Sequence, residues 1–498
     1  MDKHVSKKNR RKFCCFGEKE YLCKMKATSG QNCLGEFGNS TIALHKNPKK
    51  ITPMTIKTKT FSLFDFCKKR ADRLEVYGKE SLDEEGNIIP FIDQAAYVTH
   101  YLQLKRSGVT VTYADRAEGL LNLWYGFVEG NQQEVKDNEG IASEPLTARQ
   151  QYLFSDLYEA PFQAPANPEF TFIDLFAGIG GFRMAFQNLG GMCMFSSEWD
   201  EQARRTYYAN YGDIPFGDIT KEETKRNIPK GFDILCAGFP CQAFSLAGRR
   251  LGFEETRGTL FFDVAEILRR YQPKAFFLEN VKGLAIHDKG KTLRTILNTL
   301  DEVGYTVPDP QIVNAMYFGV PQHRERIYIV GFRKDLGIGK DEFSYPEQHE
   351  VTRKWIDVRE EHPVPAKYYL STTYVQTLVN HKARHAAKGN GFGYEIIADD
   401  GIANAIVVGG MGRESNLVID KRQTDLTPTT NIKGTVNTDG IRKMTPREWA
   451  RLQGYPDTFK IVVADASAYK QFGNSVAVPA IQATAEKLLN ILRNKEVL

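Results

Sequence analysis

Between about residues 166 and 340, apolar runs of strand length alternate with amphipathic helical stretches. FTFIDLFAG, MCMFSSE, FDILCAGF, KAFFLENV and RIYIVGF read as strands, and FRMAFQNLG carries its apolar residues at helical spacing. Short apolar strands alternating with helices predict a parallel sheet covered on both faces. Upstream, FIDQAAYVTHYLQL and AEGLLNLWYGFV have helical periodicity, and their Trp124 and Tyr125 are expected in a core. The prolines of EAPFQAPANPEF mark a linker between the two parts. From about 341 to 440 the rhythm gives way to glycine-rich, polar segments such as KGNGFGYE and VVGGMGRESN; it returns at TPREWARLQG and after FGNSVAVPA.

The expected organisation is a basic tail at 1–53, a helical accessory region at 54–160 and an α/β domain at 166–340. A small irregular domain follows at 341–450, and 451–498 returns to the α/β domain. Met54, where regular sequence begins, is an expected alternative start of translation.

Composition bounds the class. With 498 residues, 42% apolar and 26% charged, the chain is neither wholly disordered nor a membrane protein. It has no apolar run near the ~20 residues of a spanning helix, and MDKHVSKKNRRKF lacks the apolar segment of a secretory signal, so a cytoplasmic location is expected. The net charge of +5 is uneven: residues 1–60 hold 14 Lys/Arg against 4 Asp/Glu, the remainder 52 against 57. A nucleic-acid face would therefore be a local basic cleft in a slightly acidic body. Eight cysteines include no CxxC pair, so neither a zinc site nor a disulfide framework is expected.

Candidate chemistry clusters at the carboxyl ends of the strands, where open α/β sheets bind ligands. DLFAGIGGF is a strand running into a glycine turn, with Gly178, Gly180 and Gly181 letting backbone approach a ligand and a helix starting at Phe182. The next strand ends in Glu198 and Trp199, placed for a ribose diol and an adenine face, and GDIT offers Asp218 to an adenine amine. To this point a nicotinamide dehydrogenase fits equally. Cys236 reads as inert core, whereas Cys241 of GFPCQAFS follows a strand end and faces substrate. Glu279 of FFLENV ends another strand, and Arg324 and Arg326 of QHRER lie on one side of an extended chain. A thiol, a carboxyl group and two guanidiniums suit a flat polar heterocycle.

In this order DLFAGIGG, EWD, GDI, GFPCQ, GTLFFDV, ENV, QHRER and QFGNSVAVP resemble the motif set of the DNA (cytosine-5)-methyltransferases, over roughly 170–490. The text between them is similar to bacterial modification methylases of CCGG restriction systems. The resemblance implies an S-adenosylmethionine-dependent, Rossmann-like catalytic domain with a small target-recognition domain and a helical N-terminal extension. It implies that Cys241 adds to cytosine C6, Glu279 contacts N3 and the exocyclic amine, Arg326 holds O2, and Arg324 supports the base or the thiolate. Phe176, Gly178, Gly180, Gly181, Glu198, Trp199, Asp218, Ile219, Pro240, Leu260, Asn474, Ser475 and Val476 would surround the cofactor. No metal is required. Gln242 and Ser245 would fill the gap left by an extruded base.

Arg413, Arg422 and Lys433 are candidates for reading bases, while Arg447, Glu448 and Arg451 are expected in internal ion pairs. The expected partner is double-stranded DNA at CCGG, with the inner cytosine modified. A monomer is expected, with a restriction endonuclease as functional rather than physical counterpart. The rival readings are a tRNA cytosine-5 methyltransferase, a nicotinamide oxidoreductase and an inactive DNA-binding regulator.

Overall fold

The computed structural model describes residues 79–124, 159–240, 260–409, 412–427 and 434–498. Two helices come first: α1 (Phe91–Arg106) and α2 (114–124). A strand–helix series follows: β1 (Phe170–Leu175), α3 (Gly181–Asn188), β2 (Gly191–Ser197), α4 (Glu201–Tyr211) and β3 (Ile234–Gly238). It continues with α5 (Leu260–Tyr271), β4 (Ala275–Val281) and α6 (Lys291–Glu302).

The strand order is β2-β1-β3-β4, all parallel, as the alternation of strands and helices predicts. Beyond β4 the sheet departs from the expected pattern. RIYIVGF lies in β8 (Glu325–Arg333), which runs antiparallel to β4. The reason is connectivity: β5 (Tyr305–Thr306) and β6 (Gln311–Asn314) both pair antiparallel with β8, and only residues 315–324 separate β6 from it. So short a link returns the chain alongside itself, whereas a parallel neighbour needs a crossover of a dozen residues or more. β5 and β6 are one strand broken at VPDP. Their pairing with β8 slips by one residue across Pro308 and Pro310, which cannot donate to a ladder.

Both faces of the sheet are buried, and successive residues divide between them. Phe172, Ile234, Cys236, Ala275, Phe277, Tyr328 and Val330 enter one core; Ile173, Leu175, Leu235, Phe276, Leu278, Ile327 and Ile329 enter the other. α3 and the carboxyl-terminal helix α10, defined below, cover the first face. α1, α2, α5 and α6 cover the second, so the N-terminal helices share a core with the sheet. Trp124 stacks on Phe91 at 4.9 Å, within that core; Tyr125 lies outside the described residues.

The irregular region holds short pieces: β7 (Gln322–His323) pairs with β9 (Ala403–Asn404), and β10 (Leu417–Ile419) with β11 (Ile441–Lys443). It also carries α7 (Thr372–Ala386). α8 (Pro446–Leu452), α9 (Asp465–Asn474) and α10 (Val478–Asn494) then return to the sheet. Thr445 and Glu448 form a capping box at the start of α8. Of the expected ion pairs, Glu448 binds Arg442 through two 2.8 Å hydrogen bonds, both side chains fully buried, and Arg451 binds Asp457 at 2.8 Å. Arg447 differs: its guanidinium goes to the carbonyls of Pro456 and Phe459.

Candidate active site

The glycine turn begins with a strained residue. Phe176 leaves β1 at φ 55°, in the left-handed region that costs a non-glycine residue about 1–3 kcal/mol. Gly178 follows at φ 55° with nothing within 4 Å of where a Cβ would be, so this side of the turn faces open space. Gly181 is the opposite case. A Cβ there would lie 2.6 Å from Val476 Cγ2 and 3.0 Å from the Tyr455 hydroxyl, so the C-terminal segment packs directly on the turn. Glu198 spans the gap to β2: its Oε2 accepts from Gly178 N at 2.8 Å and its Oε1 from Asp200 N at 2.7 Å. Burial nonetheless raises its carboxyl above the usual range.

The second arm is the segment reaching Asp218. Phe216 N donates to Ser196 O and Phe216 O accepts from Glu198 N, both at 2.8 Å, which lays GDIT beside EWD. Asp218 Oδ1 accepts from the Thr220 amide and hydroxyl, Ile219 is buried, and Trp199 stands 76% exposed. Leu260 opens α5, and Pro240 is the last described residue before the segment 241–259.

Beneath the turn sits a residue to which the sequence reading gave no role. Asp174, fully buried in β1, makes no hydrogen bond of good geometry through either carboxylate oxygen among the described residues, although the Arg183 amide lies near enough to pull on its charge. Burial pushes its carboxyl up to about 8, against the opposing pull of the Arg183 guanidinium and backbone amide. An acid in the otherwise apolar run FTFIDLF was the available signal.

At the neighbouring strand ends, β3 and β4 place Gly238 opposite Glu279. A Cβ on Gly238 would lie 3.6 Å from Glu279 Oε2 and 3.8 Å from Val476 Cγ1, so the acid, the strand end and the C-terminal segment meet here. Glu279 Oε1 pairs with Arg326 Nε at 3.1 Å. Burial raises the Glu279 carboxyl, although the charges of Arg326 and Arg324 oppose it. Asn280 Nδ2 donates to Phe239 O at 2.9 Å and so fixes the backbone that leads into Pro240. Cys241, Gln242 and Ser245 lie outside the described residues.

Arg324 departs from its expected role. Its Nη1 donates to Ile406 O at 2.9 Å and its Nη2 to Gly473 O and Ser475 O at 3.2 and 2.6 Å. The guanidinium is a buried clamp on three backbone carbonyls from two segments, not a free group facing a base. Burial and the Arg326 charge hold it below the usual arginine range. Ser475 Oγ shares a 2.7 Å hydrogen bond with the Tyr455 hydroxyl, Val476 is buried between Gly181 and Gly238, and Asn474 is exposed. Tyr455 is a second residue the sequence reading passed over.

Among the candidate base readers, Arg422 is likewise committed elsewhere. It binds both Asp420 oxygens and the carbonyls of Glu360 and Glu361. Arg413 is exposed, with its guanidinium over the Tyr469 ring at 5.4 Å; Lys433 lies outside the described residues.

A glycine turn open on one side, Glu198 bridging to it and the Glu279–Arg326 pair thus meet at adjacent strand ends. The family model for C-5 cytosine-specific DNA methylases matches residues 170–490, and the chain belongs to that family. It is 72% identical over 338 residues to the type II methyltransferase M.HpaII of Haemophilus parainfluenzae, covering 67% of this chain and 94% of that one. It is 46% identical to type II methyltransferase M.SsoII of Shigella sonnei, over 67% of this chain and 83% of the relative. With type II methyltransferase M.HhaI of Haemophilus parahaemolyticus it shares 41% identity, over 65% of this chain and 95% of the relative. The protein is a DNA (cytosine-5)-methyltransferase that uses S-adenosylmethionine as methyl donor and double-stranded DNA as substrate. Among the described residues no helix is long and apolar enough to cross a membrane.

Proposed function

We propose that this enzyme methylates the inner cytosine of CCGG, protecting DNA from a restriction endonuclease of the same specificity, and that it acts as a monomer in the cytoplasm. The observation that carries the catalytic reading is the Glu279–Arg326 pair, 3.1 Å apart, with Glu279 buried and Arg326 largely so, at the strand end beside the one leading to Cys241.

Cytosine C5 is a poor nucleophile, and covalent catalysis divides the difficulty. With the base swung out of the duplex, the Cys241 thiolate forms a bond to C6. Glu279, kept protonated more readily by burial, gives its proton to N3, so that negative charge does not build up on the ring. Arg326 holds O2 and orients Glu279. S-adenosylmethionine, when bound, supplies an electrophilic methyl group to C5. Water then takes the C5 proton, the freed electron pair restores the C5–C6 double bond as the C6–S bond breaks, Cys241 leaves as thiolate, N3 returns its proton to Glu279, and S-adenosylhomocysteine departs.

The residues present fit the cofactor. Gly178 leaves room beside the turn, Glu198 and Asp218 offer acceptors to the adenosine, and Phe176, Trp199, Ile219, Pro240 and Leu260 supply apolar walls. Gly180, Gly181, Asn474, Ser475 and Val476 close the other side. Asp174, a buried carboxyl group without a well-formed hydrogen bond, offers a counter-charge to a cationic ligand.

The test is transfer of tritium from methyl-labelled S-adenosylmethionine to duplexes differing only at CCGG. Label on CCGG alone, absent with Cys241→Ser, is expected. Label on tRNA, or on every duplex equally, would overturn the specificity.

A further inference from the structure

The two arms that flank the adenosine side of the proposed cofactor site are not held by the catalytic domain alone. α1 touches both. Thr99 Oγ1 accepts from Ile214 N at 3.0 Å, four residues before Asp218, and His100 Nε2 lies 3.3 Å from Ser196 Oγ, two residues before Glu198. Arg204, in α4, ties all three elements together. Its Nε donates to Pro215 O at 2.9 Å, and its Nη2 reaches Asp93 Oδ1 of α1 at 2.7 Å. Between the arms lies Phe216. Its ring stacks on Phe195 of β2 at 5.1 Å and meets Tyr97 and His100 of α1 at 5.2 and 4.8 Å. Its backbone makes the two hydrogen bonds that set Glu198 beside Asp218. An aromatic ring confined between a helix and a strand fixes the backbone that carries it, because packed interiors deform little.

We infer that α1 is a positioning element of the cofactor site. By seating Phe216 and holding Ile214 and Arg204, it sets the spacing between Glu198 and Asp218 and so governs affinity for the adenosine part of the ligand. This rests on the assignment of Glu198 and Asp218 to the cofactor. It makes Asp93, Thr99 and the α1 face of Phe216 positioning residues, with no contact to the reacting atoms.

Thr99→Val keeps the shape of a fully buried side chain but leaves the Ile214 amide without its acceptor. The variant is expected to bind S-adenosylhomocysteine about tenfold more weakly by calorimetry and to raise KM for S-adenosylmethionine by about the same factor. Its kcat and its KM for duplex DNA should stay within about twofold. Thr99→Ser should restore parental values, and Glu118→Gln, which loosens the contact with Tyr101 away from the arms, should leave KM unchanged. Asp93→Ala, at a partly exposed position, gives the same reading should Thr99→Val fail to fold. Parental affinity for S-adenosylhomocysteine in folded Thr99→Val or Asp93→Ala protein overturns the inference even where the melting temperature falls. Glu198→Gln separates the two claims. If it too binds like the parent, the cofactor assignment itself fails; if it alone is weakened, only the role of α1 fails.

Discussion

Replacing Asp174 by Asn should make the ligand-free enzyme more stable and the cofactor-bound enzyme harder to form. Asp174 is fully buried, without a well-formed hydrogen bond to either oxygen among the described residues, and its carboxyl is raised from 3.8 to about 8. The sign follows from linkage. The folded state holds this proton more tightly than the unfolded state, so folding is unburdened below pH 4 and is progressively opposed as pH rises towards 8. Across nearly four pH units at about 1.4 kcal/mol each, the ceiling on this cost near pH 7.5 is on the order of 5 kcal/mol. Relaxation of the site leaves about half of that, and an amide has no such titration. The apo melting temperature of Asp174→Asn should therefore exceed the parent's at pH 7.5, and the difference should vanish towards pH 4. Affinity for S-adenosylmethionine should fall at least about thirtyfold, equivalent to roughly 2 kcal/mol for a lost buried charge partner. Calorimetry in buffers of differing ionisation enthalpy should also show proton release when the parent binds the cofactor, and none for the variant. An unchanged dissociation constant, or a lower apo melting temperature at pH 7.5, would refute the reasoning.

Glu279→Gln should lower kcat by about 10²–10⁴ while leaving duplex binding in a gel-shift assay intact, as removal of a positioned proton donor does. Arg324→Lys cannot serve three carbonyls with one ammonium group; it should lower the melting temperature without altering the shape of the pH–rate profile, and a changed profile would return Arg324 to the chemistry. Glu448→Ala leaves the buried Arg442 with Asp420 alone, a carboxylate it shares with Arg422, and should cost about 3 kcal/mol in denaturant titration. Cys193 and Cys236 are fully buried, with the Cys193 thiol pushed up to about 12, so under native conditions iodoacetamide should spare both by peptide mass mapping.

The periodicity of apolar residues sufficed for β1 to β4 and for α3, because strands buried on both faces carry a signal that needs no knowledge of their partners. It could not orient β8, whose direction is decided by the short link after β6 rather than by its own residues. The motif order pointed to Glu279 and Arg326, which the structure places at neighbouring strand ends 3.1 Å apart. It gave no sign of the partners of Arg324, because the carbonyls of Ile406, Gly473 and Ser475 are what its guanidinium meets. Those acceptors lie 82 to 151 residues away in sequence, beyond any local pattern. Arg422 combines both cases, with Asp420 two residues away and the carbonyls of Glu360 and Glu361 about sixty away. The N-terminal helices were legible as helices, but their contacts to Ile214, Ser196 and Arg204 were not, because they are made by common residue types at long range.

Val476 against Gly181, and α10 over the same face as α3, give the order of synthesis a meaning. The glycine turn is translated some three hundred residues before the segment that encloses it. Until α10 leaves the ribosome, the face of the sheet carrying Phe172 and Phe277, and the inner side of α3 with Phe186, lack half of their cover in a nascent chain growing at about 5–20 residues per second. A prematurely terminated copy thus lacks both its methyl-donor enclosure and half the cover for its stickiest surface, and becomes a substrate for chaperones and proteases rather than a half-working modifier of the genome.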